Sequence, residues 1–396
     1  MTPTTEIPAD GIDLYSRAAI LDPYPHYARL RAHRPVVWLS HHRVFALPRY
    51  DACKAALRDD ATFVSGAGVG LNPVANRMSR GTVLNSDGEV HRERRSLLAH
   101  RLTPRALRSM RDEVDAQAAR VVDAAVARRH VDGVADLALA LPMSVVPDLI
   151  GWPEEGREHL LRWGAATFDV LGPFNGQSAR SAPASLGMLR YAHRIARRRE
   201  LQPGSMGEDL LRAVDAGRLD AAACPKLLVD YLAPSIDTTL SAIASALHLF
   251  ARHPEQWALL RADRDLLPNA INEVVRLESP LRAFSRKVAQ RTTIAGHVVP
   301  EGSRVLVLYA SANRDETAWT SPETFDITRD ASRQLGFGHG THGCAGQGLA
   351  RLETGAILTR LLDTVERIAL AGEPEWAVNN IIHRLERLPL ELVPAR

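Results

Sequence analysis

Apolar residues recur at helical spacing through most of this chain. Stretches 26–33, 50–58, 104–128, 137–149, 184–199 and 225–252 place hydrophobic side chains three and four apart, the signature of amphipathic helices. Asp22-Pro23-Tyr24-Pro25 forms a turn before the first of these, and Asp51 is the expected cap of 50–58. Two short β-rich runs, Val36-Val37-Trp38-Leu39 and Val44-Phe45-Ala46-Leu47, flank His41-His42-Arg43 and predict a hairpin. Segment 65–85 carries five Gly or Pro residues and little periodicity, so a long loop is expected there, of the kind that usually carries function. Gly172-Pro173 and Gly176 break the pattern between two helices, and 281–286 reads as a strand. The resulting class is mainly α with small β-sheets.

One stretch follows neither period. Residues 336–346 read Gly-Phe-Gly-His-Gly-Thr-His-Gly-Cys-Ala-Gly, with four glycines between 336 and 343. Each would cost roughly 1 kcal/mol in a helix. Helical spacing returns directly after Gly346, so a tight loop presents Cys344 at the mouth of a long helix. Free N–H groups and partial positive charge at that helix start are expected to favour a thiolate. Glycines beside the cysteine let a flat, wide group approach the backbone. A thiolate axial ligand under a haem meets these conditions, and it favours O–O cleavage. A zinc set of His339, His342 and Cys344 has plausible spacing but no clear fourth ligand; an unreactive cysteine in a turn is the other alternative.

Composition narrows the classes. The net charge of +3 argues against a nucleic-acid binder. Only Lys54, Lys226 and Lys287 are lysines among 49 basic residues, so arginine dominates. Cys53, Cys224 and Cys344 are odd in number and widely spaced, which implies no disulfide framework and suits a reducing cytosol. No signal-peptide pattern is readable at the start, and no run is expected to reach the ~18 apolar residues of a membrane span. Without a composition shift or repeat, one domain spanning 1–396 is expected, with 1–20 an irregular N-terminal segment.

Phe337-Gly338-x-Gly340-x-His342-x-Cys344-x-Gly346 resembles, at every fixed position, the haem-binding loop of the cytochrome P-450 superfamily. The resemblance extends from Asp22 to the C-terminal strands and is similar to the soluble bacterial members. It implies a single cytochrome P-450 haem domain, with haem b on the Cys344 thiolate. Phe337, His342 and Gly346 would contact the cofactor, and His91, Arg95 and Arg286 would hold its propionates. Glu273-Val274-Val275-Arg276 matches the family's Glu-x-x-Arg motif, a buried ion pair formed by Glu273 and Arg276. Segments 311–315 and 325–329 match the meander that leads to the cysteine loop.

Within 225–252, Pro234-Ser235-Ile236-Asp237-Thr238-Thr239 matches the oxygen-activating helix, where Asp237 and Thr238 would deliver protons for O–O cleavage. Local back-bonding of the threonines to helix carbonyls is the plainer alternative. Pro234 and Ser235 replace the family's usual Ala and Gly. Proline cannot donate to the Asp230 carbonyl, so a kink is expected there.

The resemblance therefore implies a haem–thiolate monooxygenase of the cytoplasm. It would insert one atom of O2 into a small organic, aromatic substrate by hydroxylation or O-demethylation. With no flavin or iron–sulfur motif, electrons from NAD(P)H would arrive through a ferredoxin reductase and a ferredoxin. Arg92, Arg94, Arg101, Arg105 and Arg351 would face that acidic partner, unless they are ordinary solvated arginines. A peroxide-driven peroxygenase and a non-catalytic haem sensor are the rivals; the Asp237–Thr238 pair counts against both. A monomer without membrane or nucleic-acid partners is expected.

Segments 64–71, 156–161 and 171–175 are similar to bacterial members that oxidise para-substituted benzoates. Where those grip a carboxylate, an ungapped count finds Met78, Gly81, Val229 and Asp230, and Asp230 would repel one. The expected pocket residues are Leu84, Phe168, Asp230, Pro234 and Phe284. An arginine partner on a neighbouring helix is the alternative role for Asp230.

Overall fold

A computed structural model describes residues 7–395. Its axis is the helix Cys224–Arg252, whose residues from Leu240 to Phe250 are all buried. Nearly every position from 239 on is apolar or small, so neighbours can pack against every face. Helices Leu160–Asp169, Ala140–Ile150, Gly176–Arg198 and Gln347–Thr364 all pack on it. Each fully buried Leu or Ile there contributes about 1.5–3 kcal/mol.

The β structure is small and lies to one side. The expected hairpin forms between Val37–Leu39 and Val44–Leu47, with Trp38 opposite Phe45. It belongs to a six-stranded sheet that also holds Ala9–Asp10, Arg304–Val307, Phe284–Val288 and Phe63–Val64. Val365–Leu370, Pro389–Pro394 and His130–Asp132 form a second, three-stranded sheet.

Several expectations are corrected. Asp51 does not cap Tyr50–Arg58; it lies in the first turn, and the Tyr50 N–H donates to Asp315 Oδ2 at 2.8 Å. The helix expected at 184–199 begins at Gly176, because Asn175 and Ser178 form a reciprocal capping box and the helix continues through Pro183. Loop 65–85 contains a short helix, Pro73–Met78, capped by the Asn72 side chain. Residues 1–20 are not wholly irregular: Ala9–Asp10 is a strand and Arg17–Leu21 a helix, while residues 1–6 lie outside the described ones. The segment Gly133–Ile150 is long and apolar enough to cross a membrane, contrary to expectation, with 56% of it buried inside the protein. It packs against the central helix and serves the core. The central helix itself runs unbroken through Pro234.

Candidate functional site

The cysteine loop is held from beneath by residues far away in sequence. Asn313 Oδ1 accepts from the Leu335 N–H at 2.7 Å, and its amide donates to the Ser279 hydroxyl. The Cys344 N–H then donates to the Phe337 carbonyl at 2.8 Å, which closes the loop. Gly338 and Gly340 have φ of +70° and +69°, where a side chain would be strained. At Gly340 a Cβ would also lie 2.3 Å from the Leu57 carbonyl oxygen. Below the loop, Glu273 and Arg276 form a two-pronged pair at 2.6 and 2.8 Å, both fully buried. Arg329 adds a second cation on Glu273 at 3.1 Å, and Arg276 also donates to the carbonyls of Asn313 and Pro322.

Above the loop is a cavity. Of the three cysteines, Cys344 alone borders it; Cys53 is buried and donates to the Leu47 carbonyl, and Cys224 is buried at the start of the central helix. The Cys344 thiol does not follow the expected downward shift in the chain alone. Burial pushes it up, and outweighs the N–H groups of Gly346 and Gln347 and the charges of Arg95 and Arg351. A metal ion on the sulfur would reverse that balance, since a coordinating thiol is deprotonated.

The residues present fit a haem. Phe337, His342, Gly343, Cys344 and Gly346 line the cavity, and a Cβ at Gly346 would meet nothing within 4 Å. Arg95 and Arg286 stand on its wall; Arg95 donates to the Gly343 carbonyl at 2.8 Å and Arg286 to the Ser285 carbonyl at 2.9 Å. His342 Nε2 is buried without a hydrogen bond, as are both ring nitrogens of His91. Such orphaned polar atoms beside two arginines suit carboxylates supplied by a bound group. His91 is not itself on the wall; its ring lies 4.2 Å from that of His342. Burial, then the charges of His342 and Arg95, push its pKa down to about 4. The alternative zinc set does not assemble, since His339, His342 and Cys344 do not bring their donor atoms together.

The opposite wall comes from the central helix and the roof loop. Leu84, Phe168, Asp230, Pro234 and Phe284 all border the cavity, as do Ser235 and Thr238. The Thr238 hydroxyl donates to the Pro234 carbonyl at 2.6 Å, so back-bonding and a place on the cavity wall coexist. Asp237 turns away from the cavity lining. It is fully buried, with Oδ1 3.0 Å from Arg384 Nε, yet neither carboxyl oxygen makes an aligned hydrogen bond. Burial pushes Asp237 up to about 6, against the pull of Arg384.

Asp230 pairs with no arginine. Its Oδ2 accepts from the Val83 N–H at 2.8 Å and the Leu84 N–H at 3.4 Å, tying the roof loop to the central helix. Burial pushes it, too, up to about 6. Of the positions aligned with a carboxylate grip, Met78 is exposed and neither it, Gly81 nor Val229 reaches the cavity; Val83 and Leu84 do.

Sequence reasoning missed four residues. Arg384 lies 147 positions from Asp237 and bridges it to the exposed Glu386 at 2.8 Å. Asn313 and Asp315 act through side-chain bonds to distant backbone. Glu353, on the cysteine helix, is fully buried with both carboxyl oxygens unpartnered, and burial pushes it up to about 8. Its place between Leu352 and the run Ala356-Ile357-Leu358 was the one local signal that could have exposed it.

Comparison with known proteins gives a consistent result. A family profile described as cytochrome P450 matches residues 205–374. The cytochrome CYP199A2 of Rhodopseudomonas palustris is 38% identical over 98% of this chain and 95% of its own length. The monooxygenase PikC of Streptomyces venezuelae is 33% identical over 93% of this chain and 91% of its own. Among solved structures, Mycobacterium marinum CYP268A2 in complex with pseudoionone superposes with a TM-score of 0.87 at 29% identity, covering 98% and 99% of the two chains.

Proposed function

This chain belongs to the cytochrome P450 family, and from that premise we propose that it oxidises a small, compact apolar substrate, aromatic in character, by hydroxylation or oxidative O-demethylation. As a P450 monooxygenase it carries haem b on a cysteine thiolate, that of Cys344, and uses O2 and reducing equivalents. When bound, the haem supplies the oxygen-activating chemistry. The chain's own residues hold, orient and protonate.

The observation that carries this reading is the Thr238 hydroxyl on the cavity wall, with the Asp237–Arg384 pair directly behind it. Thr238 can release the Pro234 carbonyl and present its hydroxyl to the cavity. Asp237, whose pKa burial raises to about 6, can reload it with a proton drawn past Arg384 and the exposed Glu386. Apolar Leu84, Phe168, Pro234 and Phe284 orient the substrate and exclude water. Among the described residues Asp230 is the one carboxylate bordering the cavity, which favours neutral or cationic groups at that end over a benzoate.

Electrons come, in this reading, from NAD(P)H through a ferredoxin reductase and a ferredoxin to a monomeric, cytoplasmic protein. Arg105 is exposed and suits an acidic partner, whereas Arg92 pairs with Glu89, Arg101 with Asp209 at 2.8 Å, and Arg351 is spent on Asn272 and Gln347. The test is Thr238→Ala with a surrogate ferredoxin and reductase. It should bind substrate and consume NAD(P)H as before while releasing more hydrogen peroxide per product. Unchanged coupling would refute the proton-delivery role.

A further inference from the structure

Outside the lining of the haem cavity, the tip of the first hairpin gathers three donor atoms. His41 and His42 form the turn, with a positive φ of 54° at Arg43, and Asp13 approaches from the segment before the first helix. The donor atoms of Asp13, His41 and His42 all lie within 4.8 Å of one another. Asp13 Oδ1 is 3.0 Å from His42 Nε2, and Oδ2 is 3.8 Å from His41 Nε2.

Three features distinguish this cluster from a chance surface grouping. The His42 side chain is only 5% exposed and packs edge-on to Tyr15 at 5.1 Å, which holds the ring in place. Its Nε2 is buried yet makes no aligned hydrogen bond, although Asp13 lies at contact distance. With Asp13 beside it but out of line, this nitrogen can take a further partner that the carboxylate would share. Asp13 is also fixed, since Oδ1 accepts from the Tyr15 N–H at 2.9 Å and leaves Oδ2 available.

We propose that Asp13, His41 and His42 form a binding site for one divalent transition-metal ion of the zinc class. Two imidazoles and a carboxylate are borderline ligands that suit zinc over calcium or magnesium. Bonds of ~2.0–2.1 Å in a tetrahedron place donors about 3.3 Å apart. His42 and Asp13 already sit near that spacing, and the half-exposed His41 has room to close the third edge while water takes the open position. The ion would staple the 13–16 segment to the hairpin and so to the six-stranded sheet. None of the three residues borders the haem cavity, so the role is structural.

The untagged haemoprotein, stripped with chelator and then titrated with Zn2+, provides the test by elemental analysis and calorimetry. One zinc per chain beyond the iron is expected, with a rise in Tm of about 2–4 °C. His41→Ala and Asp13→Asn should each weaken binding by about tenfold or more and abolish the rise, with the carbon monoxide spectrum unchanged as proof of folding. Because His41 is exposed, its variant is expected to fold even where a His42 variant does not. No zinc retained by the wild type at about 100 µM added metal, or equal binding in both variants, would overturn the site.

Discussion

Two buried acid–arginine pairs flank the haem cavity, and they are built to opposite ends. Beneath the cysteine loop, Glu273 meets Arg276 through two aligned bonds and Arg329 through a third, and Arg276 spends its other N–H groups on meander carbonyls. Behind the cavity wall, Asp237 and Arg384 are 3.0 Å apart but misaligned, and both Asp237 oxygens lack a hydrogen bond. The first pair has satisfied its lone pairs and protons, so removing either partner strands a buried charge. The second leaves its carboxyl near the balance point between charged and neutral forms. Completeness makes a frame; incompleteness leaves a group able to exchange a proton.

Five measurements test that contrast. The largest effect belongs to the ligand the frame holds up. Cys344→His should abolish the red-shifted Soret band of the reduced carbon monoxide complex; if Cys344→Ser leaves the spectrum intact, the frame serves some other purpose.

Next comes the frame itself. Glu273→Ala should cost about 3–5 kcal/mol and deplete haem incorporation, because Arg276 and Arg329 lose their counter-charge. A loss below 1 kcal/mol in chemical denaturation would contradict the account.

Burial pushes both Asp230 and Asp237 up to about 6, above the ordinary 3.8. The folded chain therefore binds more protons than the unfolded chain between about pH 4 and 6. Each group's contribution to stability is highest below that window and is lost as pH rises through it. At ~1.36 kcal/mol per pKa unit, each accounts for up to about 3 kcal/mol. Asp230→Asn should flatten the stability–pH curve across the window, and an unaltered slope would argue that the carboxyl is not buried.

Kinetics test the misaligned pair. Asp237→Asn should lower turnover about 100-fold, or ~2.7 kcal/mol, while substrate affinity stays constant. Equal losses in binding and turnover would move Asp237 from proton delivery to structure.

The smallest effect concerns selectivity. Asp230→Ser should improve 4-methoxybenzoate binding about tenfold above pH 6, where the wild-type carboxylate is charged, or ~1.4 kcal/mol. Tight binding by the wild type would restore a benzoate reading.

Much of the site was legible in the chain because its requirements are local. The cysteine loop needs glycine at positive φ, a thiol and a helix start, all within eleven consecutive residues, and the Glu-x-x-Arg pair sits one helical turn apart. The helix 104–128 and the hairpin were likewise readable, since periodicity and turn chemistry act over a few residues. Where a cap or partner came from a distance, local reasoning chose the wrong residue: Asp51 is the nearest acid to Tyr50, but Asp315 caps it.

What the sequence alone determined is the loop chemistry, the helical class and the polar insert in the central helix. Tertiary structure alone decided that Asp237 meets Arg384, that Asp230 latches the roof at Val83, and that Asp13 joins His41 and His42. The physical reason is the range of each force. Backbone geometry and periodicity are written residue by residue, whereas burial raises a carboxyl's pKa or aims a lone pair only after distant segments have closed around it.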